Sequence, residues 1–160
     1  MEKIVIDGYN LLHQVKEYKS KLELDLENAR DQLVHDLIIY RSNKKIEIMI
    51  VFDGITGISD PYYHRNVSGI KIIFSRAPRT ADSIIMEIIK SEKRKKRITV
   101  VTNDREIISF ANSLGARYLS PKAFYQRLKT HSKAPQSQNK FEYEMTAEEL
   151  EEWMKIFGIK

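Results

Sequence analysis

ITVVTNDREIISFANSLG, residues 98–115, holds two hydrophobic periodicities back to back. Positions 98–102 form a short apolar run rich in β-branched residues, the pattern of a buried strand. Positions 104–114 then place Ile107, Ile108, Ala111 and Leu114 three and four residues apart, as on a helix buried along one stripe. Gly115 stands where a left-handed C-cap would close that helix. A buried strand running directly into an amphipathic helix is the repeating unit of an α/β sheet.

The same unit recurs on either side. Residues 3–6 predict a strand ended by the turn-forming Asp7-Gly8-Tyr9-Asn10, and 46–52 a second ended by Asp53-Gly54. Residues 70–74 and 116–119 predict two more. Helices are expected over 22–40, over 80–94 with Thr80 as N-cap, and over 121–129 with proline in the first turn. Apolar strands alternating with one-sided helices predict a doubly wound α/β fold, with a largely parallel sheet of about five strands and helices on both faces. Residues 55–69 are expected to form a loop. The expected organisation is a domain over 1–129, a polar linker over 130–145 and an amphipathic helix over 146–160. That helix has a Thr146/Glu149 capping box and a stripe of Leu150, Trp153, Met154 and Phe157 that docks back on the domain.

Composition narrows the chemistry. The chain has no cysteine, which removes disulfides, thiolate zinc sites and cysteine nucleophiles. A net charge of +5 favours contact with a polyanion without naming one. The apolar core of MEKIVIDGYN is too short for a secretory signal, and no apolar run has the length of a membrane span, so a cytoplasmic protein is expected.

Asp7, Asp53 and Asp104 fall at or just past the ends of three separate strands, and Asp82 opens the helix after another. In open α/β sheets that edge is where ligands bind. Turn and cap preferences also account for each aspartate taken singly. Taken together, several carboxylates converging on one edge repel unless a cation or protons lie between them. Oxygen donors without cysteine or histidine suit Mg²⁺ or Mn²⁺, and such a site suits phosphodiester hydrolysis. No Ser-His-Asp or Cys-His arrangement competes for the role.

Four blocks, IDGYN (6–10), VFDG (51–54), TAD (80–82) and VVTNDREI (100–107), resemble in order and spacing the YacP-like branch of the NYN domains. The resemblance implies a PIN-like fold and a divalent-metal-dependent endoribonuclease that uses Mg²⁺ or Mn²⁺. It implies Asp7, Asp82 and Asp104 as metal ligands, with Asn10 completing the first block in the catalytic set. Asp53, Thr102 and Asn103 fall to supporting positions. It also implies single-stranded RNA, in particular messenger RNA, as substrate and a ribosome-linked role. One departure stands out: related sequences often carry an acid one helical turn after the TAD aspartate, where this chain has Met86 beside Glu87.

For holding RNA, Arg76 and Arg79 lead from a strand end into the carboxylates, and Tyr62, Tyr63 and Arg65 could stack on and grip bases. The basic runs 90–97 and Arg41, Lys44 and Lys45 fit solvated helix ends as well as RNA contacts. His13 is expected to be a surface or cap residue. The rivals are an NYN module that binds RNA without cutting it and a phosphoacceptor receiver domain. The receiver is disfavoured because Gly8 follows Asp7 where an acidic pair is required.

Overall fold

The computed structural model describes residues 1–54 and 62–133. Its elements run β1 (Glu2–Asp7), α1 (Gly8–Gln14), α2 (Lys16–Leu24), α3 (Leu26–Arg41), β2 (Ile46–Phe52), β3 (Tyr62–Val67) and β4 (Ile70–Ser75). They continue with α4 (Ala81–Ser91), a 3-10 turn (Lys95–Arg97), β5 (Ile98–Val101), α5 (Arg105–Leu114), β6 (Arg117–Leu119) and α6 (Pro121–Lys133).

The strands form one sheet in the order β3-β4-β2-β1-β5-β6. All neighbours are parallel except β3, which pairs antiparallel with β4. Side chains alternate across it. Ile4, Ile6, Ile48, Ile50 and Phe52 join one core with α1, α2, α3 and α6, while Val5, Met49, Val51 and Val100 join another with α4 and α5. This is the doubly wound α/β class. From β1 the chain winds outward through β2 to β4, then crosses back to β5 on the far side of β1. The strand order therefore reverses between β1 and β5, and the crevice expected there opens beside Asp7 and Thr102.

Three expectations are corrected. The sheet has six strands rather than about five, because YYHRNV within the expected loop over 55–69 pairs with β4. As an edge strand it needs no apolar face on both sides and so lacks the pattern of the buried strands. Second, IDGYN is not a turn: α1 begins at Gly8 directly after the strand, because a Cβ there would collide with the Phe52 ring and glycine lets the helix start tight against β2. Third, the helix expected over 22–40 is two helices broken at Asp25, whose side chain accepts from the Glu27 and Asn28 amides and caps α3. α2 buries only Tyr18, whose hydroxyl donates to Asp36 at 2.6 Å. α4 has Thr80 as N-cap, as expected, with Ser83 completing a capping box, but ends at Ser91. α6 runs on to Lys133, four residues into the linker expected over 130–145; the rest of that linker and the terminal helix expected over 146–160 lie outside the described residues, as do residues 55–61 of the expected loop. No described helix is long and apolar enough to cross a membrane.

Candidate active site

Asp7 is the last residue of β1 and only 8% exposed. A carboxylate so placed needs a donor, and the Thr102 hydroxyl provides it at 2.9 Å. The same Thr102 oxygen accepts from the Asp104 amide at 3.0 Å, and the Asn103 amide donates to Asn10 Oδ1 at 2.9 Å. The first block and the TND block, far apart in sequence, are thus stitched together across the β1–β5 junction by one bond between side chains and one from backbone to side chain. Thr102 and Asn103 orient Asp7 and Asn10 rather than face solvent alone.

Asp104 is the N-cap of α5, its Oδ1 accepting from the Glu106 and Ile107 amides. Asp82 is the second residue of α4, and its carboxyl lies within hydrogen-bonding reach of that of Asp104. Asp53, just past β2, accepts from Ser75 Oγ at 2.8 Å and from the Ala81 amide at 3.2 Å, so it clamps the start of α4 to the ends of β2 and β4. That bonding fits a supporting part.

The electrostatics show the convergence. Burial pushes Asp7 up from 3.8 to about 6, opposed by the Thr102 bond and reinforced by the charges of Asp82, Asp104 and Asp53. Asp82 is raised too, by burial first, then by Asp104, Asp53 and Glu106. Four aspartates from four segments thus share one field. Two members were missed from sequence. Glu106 is read most simply as an acid in a first helical turn, and Ser75, a buried hydroxyl ending β4, carries no local signal because its partner is Asp53.

The RNA-binding candidates divide. Arg76 is half-buried between β4 and α4, whereas Arg79 is ion-paired with Glu87. Arg65 is exposed on β3, and the Tyr62 and Tyr63 backbones pair with Ser75 and Phe74 at the carboxylate end of β4. The side chains of those two tyrosines are outside the described residues. Met86 packs against the α4–α5 core, so the place one turn after Asp82 supplies no acid.

As a metal centre, the donor chemistry fits: oxygen only, with repulsion a cation would relieve. Among the described residues, no three acidic or histidine side chains are arranged as a closed metal cage. The Asp82–Asp104 pair and the Thr102-held Asp7 are separate parts of one cluster.

The model of the YacP-like NYN domain matches residues 4–157. The chain belongs to the YacP-like NYN domain family. Membership places it among nuclease-like proteins of RNA-related function, whose NYN and PIN relatives usually use divalent metal ions. It is 26% identical over 107 residues to the uncharacterized protein YacP of Bacillus subtilis, a match spanning 65% of this chain and 61% of that relative's length. The crystal structure of Rae1 (YacP) from Bacillus subtilis as a W164L mutant superposes with a TM-score of 0.71 at 24% identity, covering 96% of this chain and 91% of that one. A second Rae1 (YacP) structure gives 0.71 at 22% identity, over 88% and 81%. These structures share the fold of this NYN domain.

Proposed function

We propose that this NYN domain is a divalent-metal-dependent endoribonuclease acting on single-stranded RNA. The observation that supports it best is the convergence of Asp7, Asp82 and Asp104 on the β1–β5 switch point, with Asp7 buried, raised toward neutrality and held by Thr102. Asp7, Asp82 and Asp104 would hold Mg²⁺ or Mn²⁺. When bound, that ion would lower the pKa of a water and stabilise charge on the phosphate.

The chain's own contribution is placement. Thr102 keeps Asp7 in one rotamer, the Asn103 amide fixes Asn10 beside it, and Asp53 sets the start of α4 so that Asp82 faces Asp104. Asn10 would orient the attacking water or Asp7 itself. Arg76 would approach the RNA backbone, joined by Arg79, Arg65, Tyr62 and Tyr63. The family resemblance supports messenger RNA as substrate, a 5′ phosphate and 3′ hydroxyl as products, and action at the ribosome.

The test is incubation of end-labelled single-stranded RNA with the full chain in Mn²⁺ or EDTA, beside Asp82→Asn and Asp104→Asn. Cleavage in Mn²⁺ only, lost in both variants, is expected. Metal-independent cutting, or cutting retained by both variants, overturns the proposal. A second reading, an RNA-binding module without catalysis, draws on Met86 standing where relatives often have an acid. RNA binding with no cleavage in Mn²⁺ would favour it.

A further inference from the structure

A second polar surface lies away from the arginines, on the other side of Asn10. Asn10, His13 and Gln14 stand three and four residues apart and so share one face of α1. Asn10 touches the carboxylate site through Asn103, and Gln14 lies about 10 Å further along the helix axis from Asp7. At that end a cleft of about 450 Å³ opens, lined by His13, Lys16, Lys19, Lys122, Tyr125 and Gln126 among others.

Three elements meet there. α1 contributes its last turn. α2 contributes its first, behind Val15, whose side chain has no acceptor for the free amides. α6 contributes Lys122 from its own first turn, just past β6 and therefore at the carboxyl edge of the sheet, the same edge as the aspartates. Glu17 is the acid on this wall, and it is ion-paired with Lys129 at 3.6 Å. Among the described residues, the ammonium groups of Lys16, Lys19 and Lys122 have no hydrogen bond or ion pair, and all three side chains are exposed. Unpaired cations, a helix N-terminus and a concave wall all favour an anion. Because His13 and Gln14 line the cleft from the same face of α1 that carries Asn10, a chain of successive anions laid along that face fits it better than one isolated ion.

We propose that this cleft holds the phosphate backbone of single-stranded RNA a few nucleotides from the scissile position, as a track distinct from the Arg76 and Arg79 side. The inference rests on the nuclease reading for its substrate. Its test reads binding alone and so stands apart from cleavage. A fluorescent oligouridylate is titrated with the full chain in EDTA over a range of salt. The parent is compared with Lys16→Ala/Lys19→Ala/Lys122→Ala and with a charge-matched variant in the exposed basic run, Lys93→Ala/Arg94→Ala/Lys96→Ala. Circular dichroism checks that each is folded.

The cleft variant should lose at least about tenfold in affinity at low salt, and its salt slope should fall by about 2, given about 0.7 per phosphate released on single strands. The matched variant should change affinity by less than about threefold on the same electrostatic grounds. Equal losses in both variants mean only net charge matters and overturn the proposal, as do parental affinity and slope in the cleft variant or no RNA binding by the parent. If the parent binds but never cuts in Mn²⁺, the nuclease reading fails while the track stands. If the parent cuts and the cleft variant binds normally, the reverse holds.

Discussion

Asp7 is where a single side chain carries most consequence. Below its ordinary 3.8 the carboxyl is protonated in folded and unfolded chains alike, and its burial costs nothing. Between there and about 6 the folded chain keeps a proton the unfolded chain has released, so stability falls as pH rises through that window. Above it the full cost is present, about 3 kcal/mol for a rise from 3.8 to about 6. Asp7→Asn keeps an acceptor for Thr102 and removes the charge. In EDTA at pH 7 it should therefore be more stable than the parent by about 1–3 kcal/mol, with a shallower fall in stability from pH 4 to 6 that leaves only the part due to other raised carboxyls such as Asp31 and Asp82, while cutting no RNA. Urea melts across that range check it; a variant less stable than the parent at pH 7 would count against a strained site. The aspartates could be picked from sequence because each follows a strand pattern or opens a helix pattern. Thr102 and Asn103 came with their block. Ser75 could not be picked, since its partner Asp53 is distant in sequence and only the pairing of β2 with β4 brings them together.

Among elements, the β1–α1 junction is the tightest. Gly8 lies against Phe52, which itself packs between Tyr9 at 4.9 Å and Phe74 at 5.3 Å. Gly8→Ala would push a methyl group into that stack, so we expect a loss of about 1–3 kcal/mol in thermal or urea unfolding. A fall in cleavage should accompany it, because the displaced residue adjoins Asp7. Unchanged stability would mean the ring moves aside freely. β1, β2, β4 and β5 could be located from sequence because their apolar runs are largely buried, β6 by its place between two helix patterns although its side chains are exposed or half-buried, and α5 because its stripe is unbroken and its caps are explicit. α1 was hidden by DGYN, whose residue types favour turns, and α2 by having a single buried residue. β3 was hidden because an edge strand tolerates the polar composition of YYHRNV.

The whole chain offers two checks. If Asp7, Asp82 and Asp104 hold one cation, Mn²⁺ should raise the melting temperature of the parent and leave that of Asp82→Asn nearly unmoved, since binding stabilises only the state that binds. Equal shifts in both would place the ion elsewhere. Trp153 is the sole tryptophan and lies in the segment proposed to form a docked terminal helix. Native emission should be blue-shifted and move red on unfolding; a solvent-like native spectrum would argue for a helix held free. The Thr102 link between Asp104 and Asp7 also has a consequence in time. Asp7 sits on the first strand to be made and its hydroxyl donor just past the fifth, so while the chain is emerging from its own ribosome β1 can pair with β2 but has nothing on its other edge. Until residue 104 has been added and freed, the growing polypeptide has no complete carboxylate cluster, and under the proposed nuclease activity it would be mute toward the message it is being translated from.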